Sequence, residues 1–123
     1  MRFLIVDDSS TMRRIIINTL SRLGHRDVIE AANGREGLDR LAHNQVDMIF
    51  TDWNMPEMNG IEFVRAIRAM DGMSAVPILM VTTNAAKADI VEALRAGVNN
   101  YVVKPFTPDT MREKIDSVIA KSA

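Results

Sequence analysis

The sequence contains no cysteine, which removes disulfides, thiolate metal ligands and cysteine nucleophiles in one step. It has no excess of positive charge either: fifteen Lys and Arg stand against sixteen Asp and Glu, a formal net charge of -1. That balance does not draw the chain towards nucleic acid or an anionic membrane, and it favours a protein or a small molecule as partner. Long apolar runs are also missing. Met1 and Arg2 are followed only by Phe3–Val6 before two aspartates, too short a run for a signal peptide or a membrane span, so a soluble cytoplasmic protein is expected. No Ser, Gly or Pro tract marks a linker, and no low-complexity segment or fixed repeat appears. A chain of 123 residues with 47% apolar content is expected to fold as one domain, 1–123, around a single buried core.

What is present is an alternation. Short apolar runs recur at Phe3–Val6, Val28–Ile29, Met48–Phe50, Ile78–Val81 and Tyr101–Val103, and the first and fourth lack the period-two pattern of a half-exposed strand, so they read as strands buried on both faces. Helical spacing separates them: Met12, Ile15, Ile16, Leu20 and Leu23, then Ile90, Val91 and Leu94, and finally Met111, Ile115, Val118 and Ile119. Ser9 or Ser10 can cap the first helix, and Gly24 and Gly97 follow the ends of the first and fourth. Strand and helix alternate five times. Strands joined by helical crossovers run parallel, and right-handed crossovers put helices on both faces, so the expected fold is α/β, a doubly wound five-stranded parallel sheet with five helices.

Ligands of such sheets bind beyond the carboxyl ends of the strands. Asp7 and Asp8 end the first strand, Asp52 the third, Thr82 the fourth and Lys104 the fifth, so all five converge on one rim. Carboxylates brought together repel and hold a proton unless a cation neutralises them. Magnesium suits such a site because it takes oxygen ligands, keeps several waters, and is commonly held by one or two carboxylates and a phosphate oxygen. Asp52 stands alone at its strand end before the loop Trp53 to Asn59, leaving a carboxylate oxygen free to act as a nucleophile towards phosphorus. The charge that develops on the phosphoryl oxygens could be shared by the metal, the Lys104 ammonium and the Thr82 hydroxyl. The product is a mixed anhydride that hydrolyses readily, which suits signalling.

The strings VDDSSTMRR at 6 to 14, DWNMPEMNG at 52 to 60, LMVTTNA at 79 to 85 and YVVKPFTP at 101 to 108 resemble the CheY family of chemotaxis receivers over essentially the whole chain. The resemblance implies the flavodoxin-like strand order 2-1-3-4-5, for which CheY is itself a standard example. It implies phosphorylation of Asp52 by a CheA-type histidine kinase, with Asp8, Asp52 and the backbone carbonyl of Asn54 holding Mg2+ and Asp7 acting through metal-bound water. Lys104 would pair with the phosphoryl group, the bond from Lys104 to Pro105 would be cis, Thr82 would turn to the phosphate and Tyr101 would turn inward. A face containing Lys87, Ile90, Tyr101 and Lys114 would then dock on the flagellar motor switch protein. The expected protein is a monomeric switch with no output domain, and not an enzyme beyond self-phosphorylation from acyl phosphates and slow self-hydrolysis. Thr83, Asn84 and Asn59 depart from the usual family residues, which leaves open the lifetime of the phosphorylated state and the need for a separate phosphatase.

Other features carry plainer readings. The nine methionines are expected to fill gaps in the core. His25 and His43 lack a second ligand at metal spacing and read as surface residues. Arg13, Arg14, Arg22 and Arg26 read as a solvated face, and Trp53, the single tryptophan, as a cover for one side of the metal site. A receiver in a phosphorelay or other regulatory circuit is the alternative within the class. A magnesium-dependent phosphohydrolase would want a general acid two residues after Asp52, where Asn54 cannot serve. A nucleotide carrier would want a Gly-rich loop where Asp7 and Asp8 stand.

Overall fold

The computed structural model describes residues 1–84 and 86–122, the last two by backbone alone. Ten elements alternate: β1(Phe3–Val6), α1(Ser10–Arg22), β2(Val28–Ala31), α2(Gly34–His43), β3(Met48–Asp52), α3(Gly60–Ala69), β4(Ile78–Thr82), α4(Lys87–Ala96), β5(Asn100–Val103) and α5(Pro108–Ser122). The strands form one sheet in the order β2-β1-β3-β4-β5, and every pairing is parallel. This is the doubly wound, flavodoxin-like sheet with five helices.

Burial follows position in the sheet. All residues of β1, β3 and β4 are buried, whereas the edge strands β2 and β5 are partly open. Runs without alternation occupy the centre because both of their faces are covered by helices. Successive side chains on a strand point to opposite faces, and the core accordingly divides in two. Leu4, Val6, Ile49 and Met80 pack with residues of α2, α3 and α4, while Phe3, Ile5, Phe50, Leu79 and Val81 pack with Ile16 and Leu20 of α1 and Met111, Ile115 and Val118 of α5. The single core expected from chain length is thus two layers, one on each face.

The helix ends have identifiable causes. Ser9 is the N-cap of α1, its hydroxyl accepting from Met12 N–H at 3.1 Å. Asn59 is the N-cap of α3: its side chain accepts from Glu62 N–H at 2.9 Å while the Glu62 side chain accepts from Asn59 N–H at 3.0 Å, a reciprocal capping box. Gly97 ends α4 in the left-handed region, φ 119°, which glycine reaches without steric cost.

Three apolar residues do not point inward as their spacing predicts. Ile15 is 44% exposed, Val91 37% and Leu94 47%. Helical spacing identifies residues that share a face, but burial also needs a packing layer opposite that face. His25 departs in the other direction: it is half-buried, its ring 4.9 Å from that of Phe3. His43 is exposed, as expected. Met48, Met80 and Met111 are fully buried in the core, whereas Met1 is exposed.

Candidate functional site

From β1 the chain crosses to β2, and from β3 it crosses to β4 on the other side. The two connections diverge and leave a crevice at the carboxyl ends of β1 and β3, the usual binding position in an open α/β sheet. Asp7 and Asp8 follow β1 at this crevice, and Asp52 is the last residue of β3. Oxygen atoms of the three carboxylates lie within 4.8 Å of one another. Asp7 and Asp52 are buried, at 2% and 9% exposure, and Asp8 is exposed.

Lys104, directly after β5, reaches back across the rim. Its Nζ stands 3.3 Å from Asp52 Oδ1 and 3.4 Å from Asp7 Oδ2. One ammonium therefore faces three carboxylates, leaving the cluster with two uncompensated negative charges when all ionise. Burial raises the Asp7 pKa above the ordinary carboxylate range, and the negative charge of Asp52 adds to this; the Ser9 N–H, donating to Asp7 Oδ1 at 2.9 Å, and the charge of Lys104 work the other way. Hard oxygen donors with surplus negative charge fit a divalent cation such as magnesium.

Thr82 ends β4 and is buried. Its hydroxyl oxygen accepts from Asn84 N–H at 2.9 Å, and among the described residues no acceptor takes its proton. Asp52 is held from below: its Oδ1 accepts from Trp53 N–H at 2.8 Å, and Gly60 N–H closes the following loop by donating to Trp53 O at 2.7 Å. A Cβ on Gly60 would run into the carbonyl oxygen of Asp52, so a glycine is needed for α3 to begin this close to the strand end. Asn54 is exposed at the mouth of the loop, and the peptide bond from Lys104 to Pro105 is cis. Trp53 is buried in the core layer that includes Met55 and Ile61.

Of the residues singled out as a docking face, Lys87 is exposed, while Ile90, Tyr101 and Lys114 are half-buried. Lys114 Nζ lies 4.6 Å from the Tyr101 ring centroid, a cation–π arrangement, so in this conformation Tyr101 is neither fully outward nor enclosed.

Arg13 was expected on a solvated face. It instead donates from Nη1 to Asp7 O at 2.6 Å and from Nε to Glu30 Oε1 at 3.0 Å, pinning the turn that presents Asp7 and Asp8. The only sequence signal for this was its place on the first helix, six residues after Asp7. Its partner Glu30 comes from a different strand.

A doubly wound sheet of this order, with an acidic crevice bridged by the lysine that directly follows the last strand, defines one class of protein: the chain belongs to the response regulator receiver family, matching the receiver domain over residues 3–116. Within that family it is of the CheY type. It is 58% identical over 120 residues to a chemotaxis protein CheY homolog of Campylobacter jejuni, covering 97% of this chain and 92% of that one. The structure of chemotaxis protein CheY4 of Vibrio cholerae superposes with a TM-score of 0.89 at 38% identity, covering 95% of this chain and 97% of that one. The receiver domain of a Pseudomonas aeruginosa sensor histidine kinase, solved with a magnesium ion coordinated in its active site cleft, superposes with a TM-score of 0.87 at 30% identity, covering 97% of each chain.

Proposed function

We propose that this chain is a chemotaxis response regulator in which Asp52 is the phosphoacceptor, supplied by a CheA-type histidine kinase. The observation that carries the reading is the contact of Lys104 with Asp52, 3.3 Å, at the only cluster of three acidic groups close enough to hold a metal among the described residues. Asp8, Asp52 and the Asn54 carbonyl would hold Mg2+, with Asp7 bonding to its water; when bound, the ion neutralises charge on the carboxylates and on the transferring phosphoryl oxygens. The Asp52 carboxylate attacks phosphorus as the P–N bond of the donor phosphohistidine breaks, and the departing imidazole takes a proton. Lys104 is placed to follow the negative charge from the carboxylate to the phosphoryl group. The Thr82 hydroxyl, which already accepts from Asn84 N–H, has its proton to donate to a phosphoryl oxygen.

Phosphorylation shifts the population only by the difference in how well two conformers hold the phosphate. Thr82 and Lys104 are the groups that supply the difference, since Thr82 ends the strand before α4 and Lys104 sits between β5 and α5. The face with Lys87, Ile90, Tyr101 and Lys114 then presents itself to the flagellar motor switch protein. Apart from self-phosphorylation and slow self-hydrolysis, the chain catalyses no turnover of its own.

Trp53 adjoins Asp52 and provides the test. Its fluorescence should respond to magnesium and again to acetyl phosphate, and Asp52→Asn should abolish the second response. Mass spectrometry should locate the added phosphoryl group on Asp52. Labelling of another residue, equal labelling in EDTA, or rapid multiple turnover of phosphate esters would overturn the proposal.

A further inference from the structure

Between α3 and α4 lies an open groove of about 820 Å³ lined by Arg65, Lys87, Ala88, Val91, Glu92 and Arg95. Its volume is in the range of specific ligand clefts. Ala88 and Val91 are the apolar residues of its lining. Val91 was expected to face the core and is exposed here because α4 commits only Ala93 fully to the interior.

The charge on the walls is one-sided. Lys87 and Arg95 stand two turns apart on α4, roughly 12 Å along its axis, with Val91 midway between them, and Arg65 faces them from α3. None of the three makes a side-chain hydrogen bond or ion pair among the described residues. Glu92 is the single carboxylate in the groove, so the lining carries a net charge of +2. A chain with a net charge of -1 overall thus concentrates cations here.

The two walls are also fastened to each other. Arg68, near the end of α3, donates from Nε and Nη2 to the carbonyl of Gly97, the residue that ends α4, at 3.2 and 2.7 Å. A binding site whose walls are fixed beforehand loses less ordering free energy when it is filled.

We propose that this groove docks an acidic amphipathic helical segment of another protein, with an aliphatic side chain seated on Val91 and carboxylates one turn to either side of it meeting Arg95, Arg65 and Lys87. This is the helix-in-groove mode of recognition. The surface is distinct from the proposed motor-docking face, sharing Lys87 with it and none of Ile90, Tyr101 or Lys114. It does not require phosphate on Asp52.

The probe is a short helical peptide with one leucine and a glutamate one turn before and after it, titrated into the ¹⁵N-labelled, unphosphorylated full chain. Amide shifts should concentrate at Arg65, Ala88, Val91 and Arg95. Arg65→Glu and Arg95→Glu should each weaken binding by roughly tenfold, while Glu92→Gln should tighten it. A control peptide with Gln in place of Glu should lose most of the affinity. Shifts centred on Tyr101 and Lys114, absence of binding, or indifference to the charge reversals would overturn the proposal. So would concentration-dependent shifts without peptide, which would assign the groove to a second copy of this chain. Because no phosphodonor is involved, failure here leaves the assignment of Asp52 untouched, and failure of that assignment leaves this one standing.

Discussion

Lys104 Nζ lies 3.3 Å from Asp52 Oδ1, with the two side chains only 14% and 11% exposed. The pair is nearly dry, and the same ammonium also serves Asp7 at 3.4 Å. Removing it leaves clustered carboxylates without their cation, which costs more than the loss of a surface ion pair. Lys104→Met is expected to lower stability in EDTA by about 2 kcal/mol, with most of the loss recovered on adding magnesium. Asp52→Asn should do the opposite in EDTA, raising stability by roughly 1 kcal/mol by relieving like-charge repulsion. Urea unfolding of both variants with and without metal checks the pair. Equal losses for the two would contradict the charge count.

The raised pKa of Asp7 has a definite sign in stability. The folded protein without metal holds this proton more tightly than the unfolded chain does, so the contribution of Asp7 is fully present below its unfolded value and is lost as pH rises through its folded value. In EDTA, stability should therefore increase as pH falls through the folded-state value of Asp7, and Asp7→Asn should flatten that rise. Magnesium should reverse the trend, because protons compete with the cation for the same cluster. Urea midpoints across the acid side of neutrality give the readout, and identical profiles for wild type and Asp7→Asn would refute the assignment.

Gly60 couples a helix start to the phosphoacceptor. A methyl there meets the Asp52 carbonyl oxygen and comes within 2.8 Å of the Trp53 Cα, both backbone atoms that cannot rotate away. Gly60→Ala should cost about 2–3 kcal/mol through backbone displacement. It should also slow labelling by acetyl phosphate, since the displaced atoms belong to Asp52 and its neighbour. A variant with wild-type stability and labelling rate would show that the contact relaxes freely.

Much of this site was legible because parallel strands put their carboxyl ends on one rim. Once the apolar runs were located, the positions of Asp7, Asp52, Thr82 and Lys104 followed without knowledge of any contact. The order of the strands did not follow, and came only through resemblance to CheY. Arg13 was invisible as a positioning residue because its partners, the Asp7 carbonyl and Glu30, meet only after β1 and β2 pair. Ile15, Val91 and Leu94 were misplaced for a related reason: periodicity defines a stripe, and whether another layer covers that stripe is decided by elements far away in the chain.

The far end of the sheet depends on a residue that sequence reasoning passed over entirely. Besides its two bonds to Gly97 O, Arg68 donates from Nη1 to the carbonyls of Met73 and Val76 at 3.0 and 2.7 Å, and from Nη2 to Asn99 Oδ1 at 3.0 Å. Asn99 Oδ1 in turn accepts from Ile78 N–H at 2.8 Å, so one guanidinium ties the end of α3, the loop before β4, the end of α4 and the approach to β5. Its charge is answered by neutral oxygens alone, and burial accordingly lowers its pKa. Arg68→Met leaves those acceptors without their donor and should cost roughly 3 kcal/mol. Arg68→Lys should restore only part, because a point ammonium cannot span the positions that a planar fork reaches. Amide exchange should quicken most at Gly97 and Val98, while Asp52, at the opposite end of the strands, should label at the wild-type rate. Full rescue by lysine, or faster exchange spread evenly over the sheet, would mean that the network is incidental to holding α4 in place.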